Sequence, residues 1–144
     1  MVIALAGLAA YDYLDDTPTP DLADQNAADQ ELADFLLNSL SDGSPPDPAR
    51  ARQICHRVLR ARSGNQHDAF LLLKDCGDSS SVPDLIRALR RQPKPSPGGG
   101  IVCTTAHCIS ALQTITHQNI CNDPDAWARW CRFRWMRGWD DPQK

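Results

Sequence analysis

The first 49 residues of this 144-residue chain contain no lysine and no arginine, against ten acids. The remaining residues carry fifteen bases against eight acids, so the formal net charge of −3 hides a strong split. That asymmetry bears on partners and on self-contact rather than on fold. No stretch reaches the roughly 18–20 apolar residues that a membrane-spanning helix needs. Met1–Ala10 (MVIALAGLAA) is apolar but short, and it lacks a basic leader region. It reads either as the remnant of a signal or membrane anchor or as a tucked or frayed start. No segment alternates apolar and polar residues as a half-buried strand does. Catalytic signatures are missing too: there is no G-x-S-x-G, no H-E-x-x-H and no phosphate-cradling glycine motif followed by lysine. Gly98-Gly99-Gly100 precedes a helix start but lacks the strand and spacing of a nucleotide loop, and reads as flexible linker.

What remains is helical. An apolar content of 42% with eleven prolines describes a folded part joined to loose segments. Residues 1–28, acid-rich and containing Thr-Pro-Thr-Pro, read as an apolar start and an exposed linker. Residues 29–138 read as one helical domain and 139–144 as a polar tail. The expected helices number about six or seven. One starts near Asp21 or Asp29 and runs to Leu40, with Leu32, Phe35, Leu36 and Leu40 inward. The next has Asp47 as cap and Pro48 at its first position, with Ala51, Ile54, Cys55, Val58 and Leu59 on one face. A short helix over Gln66–Cys76 buries Ala69, Leu72, Leu73 and Cys76 and ends at Gly77. The spacing then predicts a helix opened by a Ser81 cap, burying Val82, Leu85, Ile86 and Leu89. Another is expected from about Ile101 to Thr116 with Ile101, Cys108, Ala111, Leu112 and Ile115 inward, and a last one from Asp123 or Pro124 to about Arg137. Each stripe is too narrow to be stable alone, so the helix pairs are expected to stack.

The order VPDLIRAL, turn, SALQTIT, DPDAWARW resembles the HEAT-like repeats of bacterial α-solenoid proteins. Val82, Pro83, Leu85, Ile86, Ala88 and Leu89 match the first helix of such a repeat. Ala111, Leu112, Ile115 and Thr116 match the second, with His117 where glycine is usual, and Asp123 and Trp127 match the start of the helix after it. The resemblance implies an all-α fold, a short stack of antiparallel helix pairs, and a scaffold or adaptor role. A lyase-type activity known in some HEAT-like families finds no residue here to carry it.

Two groups of residues invite chemistry. Cys103 and His107 lie four apart on one helix, and His117 and Cys121 repeat that spacing, so the four offer a tetrahedral zinc set. No C-x₂-C pair supports it, and the expectation is that no cofactor is bound. Cys55, Cys76 and Cys108 fall on apolar faces as small hydrophobes. Cys121 or Cys131 would permit a bridge to Cys103 or Cys108 in an oxidising compartment. His56, His67, His107 and His117 show no Ser or Asp relay in the sequence. The C-terminal run WARWCRFRWMRGW mixes aromatics with arginine, as single-strand binders do. Trp127, Cys131 and Trp135 nevertheless repeat at helical spacing, and no sustained basic run accompanies them, which argues against nucleic acid.

The sequence therefore points to a non-enzymatic module that binds another protein, with Arg87, Arg90, Arg91 and Lys94 as the expected contact surface. The alternatives are a cell-envelope domain held by an N-terminal membrane anchor and braced by disulfides, and a zinc- or nucleic-acid-binding helical domain. Location, envelope or cytoplasm, is left open.

Overall fold

The computed structural model describes residues 20–43, 45–94 and 102–136, with the side chains of Asp42, Trp135 and Met136 left out. Among the described residues there are six α-helices and no strand: α1 (Leu22–Asp42), α2 (Pro48–Ala61), α3 (Gln66–Cys76), α4 (Val82–Arg91), α5 (Cys103–Thr116) and α6 (Pro124–Met136). A 3₁₀ turn, Ser79–Ser81, leads into α4. The all-α expectation holds. The expected contributions of Ile101 and Trp135, and everything expected of Met1–Ala10 and the Gly98–Gly100 loop, lie outside the described side chains and residues.

The helices start where local chemistry satisfies their first amides. The Asp21 carboxylate accepts from the Asp24 amide, and Asp47 accepts from Ala49 ahead of Pro48. Asp123 accepts from Asp125 and Ala126. α1 thus begins before residue 29, inside the segment assigned to linker. At α4 Ser81 holds the expected N-cap position, but its hydroxyl is used elsewhere. Asp78 and Ser81 form a capping box at the start of the 3₁₀ turn, while Ser81 makes no side-chain cap for α4. α3 has no cap of its own at Asn65. Instead Asp29, on α1, accepts from the amides of Gly64 and Asn65 at 3.3 and 3.0 Å.

Two hairpins, α2–α3 and α4–α5, form the body. α3 and α5 lie side by side and run the same way: His67 meets Cys103 at their starts, and Gly77 meets Ile115 at their ends. α2 and α4 are likewise codirectional neighbours. His56 bonds Ser81, Arg60 pairs with Asp84, and Arg91 donates to the Leu59 carbonyl at the end of α2. α1 packs on α2, and α6 packs on α4. One apolar core runs through the stack, with Leu32, Ile54, Val58, Leu59, Phe70, Leu73, Val82, Leu85, Ile86, Leu89 and Leu112 essentially removed from water. Fully burying such side chains is worth about 1.5–3 kcal/mol each. Trp127 closes the core on the α6 side; it is fully buried, and its indole N–H donates to the Cys121 carbonyl at 3.1 Å. The Trp130 ring meets it edge-on.

Three details depart from the helical pattern. Leu40, expected inward, is 80% exposed, because two four-residue steps carry it about 80° round the helix from the buried Leu32. Gly77 is extended (φ −67°, ψ 156°) rather than left-handed. Its role is space: a Cβ there would collide with the Leu73 carbonyl and lie 2.5 Å from Ile115 Cδ1. His117, by contrast, takes the left-handed conformation (φ 56°) at the end of α5, which is why glycine would serve there.

Candidate functional site: two histidine groups between the hairpins

Both interfaces between the hairpins carry a histidine group. The first is interior. Asp84, 2% exposed, takes the Arg60 guanidinium (Nη2 at 2.9 Å) and Arg87 Nη2 at 2.9 Å. His56 lies beside it, with Nδ1 4.0 Å from Asp84 Oδ2 and Nε2 2.8 Å from Ser81 Oγ. The Asp78 amide donates to the same hydroxyl. Arg52 then pairs with Asp78 and donates to the Cys76 carbonyl, covering the end of α3.

The sequence shows no Ser or Asp relay for the four histidines; the structure sets His56 between one of each. A catalytic triad needs a short His–Asp bond and an accessible nucleophile. Here the His–Asp separation of 4.0 Å is too long for a hydrogen bond, and Ser81 is fully buried. Burial pushes the His56 imidazole below its ordinary value of 6.5, against the pull of Asp84. The group is a neutral brace.

The second group is at the surface. His67, in the first turn of α3, faces Cys103 and His107 in the first turns of α5. One ligand atom from each lies within 4.8 Å of the others. Cys103 Sγ is 3.9 Å from His67 Nε2. The two imidazole rings meet edge to face, with centroids 4.7 Å apart. His67 Nδ1 is 3.1 Å from the Asp68 carboxylate. Sequence spacing pairs Cys103 and His107 with His117 and Cys121. The structure keeps the first pair together and brings His67 to it. His117 is ten residues beyond His107, about 15 Å along the helix axis, so neither it nor Cys121 belongs to this group.

Other expected site residues have structural positions. Arg87 pairs with Asp84, Arg90 with Asp125, and Arg91 caps α2; Lys94 is exposed. All six cysteines are free thiols, and no bridge joins Cys103 or Cys108 to Cys121 or Cys131. Cys55 and Cys108 are buried, and burial raises both thiols, Cys55 to about 12. The Cys108 thiol faces the Leu85 carbonyl at 3.4 Å. Among the described residues no helix is long and apolar enough to cross a membrane. Arg134 lies over the Trp130 ring at 6.0 Å, which occupies an indole face that a base would need.

A third surface escapes the sequence pattern. On α1, Leu37 and Leu40 are 61% and 80% exposed and stand one turn apart on the same side, while Leu22, 70% exposed, lies about 22 Å away at the other end of the helix. α1 contains no basic residue. Of its acids, Asp29 and Glu31 turn inward, Glu31 to Arg50 and Arg57 at 2.7 Å each. Asp24 and Asp34 stay at the surface.

No protein-family model matches the chain, and neither the curated proteins nor the solved structures contain a match to it. The chain is thus an all-helical domain of six helices among its described residues, with no family identified.

Proposed function

We propose that this chain is a non-enzymatic, HEAT-like helical-repeat module that binds another protein through the outer face of α1. The carrying observation is the pair Leu37 and Leu40, one turn apart and left in water near the C-terminal end of the outermost helix of the stack. Repeat stacks need polar outer faces on their terminal elements to stay soluble, and an apolar end face marks a contact surface. The codirectional stacking of α2 on α4 and of α3 on α5 supports the repeat reading. The partner's chemistry is set by charge: a helix of leucines and acids without a base takes a basic amphipathic helix. The basic face at Arg87, Arg90 and Arg91 is set aside, because those guanidinium groups brace the fold. The absence of an accessible nucleophile beside His56 supports a binding role over catalysis.

The test uses a short amphipathic Leu/Lys helix as probe, with its Leu/Glu counterpart as control. The expected result is salt-sensitive binding of the Leu/Lys peptide alone, weakened about tenfold or more by Leu37→Asp with Leu40→Asp. Both positions are already exposed, so an unchanged circular-dichroism spectrum is expected. Equal binding of the two peptides, or full affinity in the double variant, overturns the reading. So does self-association that the same variant abolishes, which assigns the face to a second copy of the chain.

A further inference from the structure

We propose that His67, Cys103 and His107 form a zinc site that ties the two hairpins together, a function separate from the α1 surface. Three observations converge. The donor atoms come from two different helices yet lie within 4.8 Å of one another. Tetrahedral zinc, with Zn–S near 2.3 Å and Zn–N near 2.0–2.1 Å, needs S···N of about 3.6 Å and N···N of about 3.3 Å. The Cys103 Sγ to His67 Nε2 separation of 3.9 Å closes to that by a few tenths of an ångström.

The second observation is the orientation of His67. Its Nδ1 faces the Asp68 carboxylate at 3.1 Å, which leaves Nε2 toward Cys103. A carboxylate behind a ligating imidazole fixes its tautomer and strengthens it as a donor. The third is register. The Gly77–Ile115 contact holds the far ends of α3 and α5 together, so the near ends present His67 level with Cys103 and, one turn on, His107.

Charge decides between an ion and an idle cluster. The first turns of α3 and α5 both end here, and their partial positive charges oppose a bare cation. The Cys103 thiolate and the Asp68 carboxylate supply two negative charges, which balance a divalent ion. Two imidazoles with one thiolate suit zinc, which has no redox chemistry and accepts mixed N and S donors. Binding is balanced by release of the Cys103 thiol proton as the Zn–S bond forms. With three protein ligands, the fourth position takes a water or a side chain from outside the group.

The full-length, reduced protein is titrated with Co²⁺ and then with Zn²⁺. One equivalent of Co²⁺ is expected to give tetrahedral ligand-field bands and a thiolate-to-cobalt charge-transfer band, both erased by zinc. Cys103→Ser removes the charge-transfer band. His67→Ala weakens binding by more than about 100-fold, and Asp68→Asn by about tenfold. His117→Ala and Cys121→Ser change nothing. Zinc raises the melting temperature of the natural chain and leaves that of the Cys103→Ser, His67→Ala double variant unmoved. Circular dichroism checks that each variant is folded, which the surface position of the group favours. Cobalt bound without a charge-transfer band overturns the proposal. So does undiminished zinc affinity in the double variant, or equal loss from the His117 and Cys121 substitutions.

Discussion

The two histidine groups sit between the same pair of hairpins and have opposite characters. Around His56 every polar atom has found a neighbour: Ser81 on Nε2, Asp84 near Nδ1, and Arg60 and Arg87 on the aspartate. Around His67 the donor atoms converge on one another, and among the described residues only Asp68 stands behind them. Burial accounts for the difference. A polar group removed from water must be satisfied within the protein, or it costs several kcal/mol. A surface group is under no such demand and can hold donors in reserve. The lesson is that convergence without mutual satisfaction, rather than histidine itself, marks a place where something binds.

Thiol chemistry gives the widest contrast between the interior and the surface. Cys103 is exposed, whereas Cys108 is fully buried and its thiol is raised by burial. A thiol-labelling time course should show Cys103 reacting at once. Cys108 should react on the order of a thousandfold slower or more, through global opening. Comparable rates would mean that the stack is loose. Next in size is Asp84→Asn, which should destabilise by about 2–3 kcal/mol in a denaturant titration. Part of the full buried-pair cost is spared, because Arg60 is 62% exposed and water can solvate it. His107→Ala in metal-free protein should cost under about 0.5 kcal/mol. Similar losses from these two substitutions would erase the distinction between brace and site.

The smallest expected effect concerns pH. The folded-state value of His56 is depressed, so the unfolded chain binds the extra proton first. The stability contributed by neutral His56 is therefore whole above about 6.5. It falls as pH drops below that value and levels off once the folded-state imidazole also protonates. His56→Gln should flatten this part of a stability–pH curve. An unaltered curve in that variant would mean that burial of the imidazole does not set its titration.

Much of the fold is legible in the sequence, and the failures share a cause. The stripes Ala51, Ile54, Cys55, Val58, Leu59 and Val82, Leu85, Ile86, Leu89 are buried as their spacing requires. Helical period is a local property, and it reports what each helix must hide. Phe70, fully buried, escapes the pattern because α3 is too short for its stripe to stand out. Leu40 departs from it because a repeat of four drifts about 40° per step, so Leu32, Leu36 and Leu40 do not share one face. His67 is hidden because its partners lie on another helix. Spacing can pair Cys103 with His107 within one helix, but it cannot reach across to α3. Setting Gln66–Cys76 against Cys103–Thr116 as equivalent helices of successive repeats would place His67 beside Cys103. Ser81 misleads in another way: its hydroxyl is shared between the Asp78 amide and His56, and the sequence does not reveal the packed neighbour.

The amides of Gly64 and Asn65, just ahead of α3, are held by Asp29, a residue of a different helix. The turn that sets the start of α3 is consequently shaped in part from outside the two hairpins. A chain cut to begin at α2 would leave those two donors to water, one turn or less from His67. In such a fragment the loss of a distant carboxylate would be felt first at the imidazole it never touches.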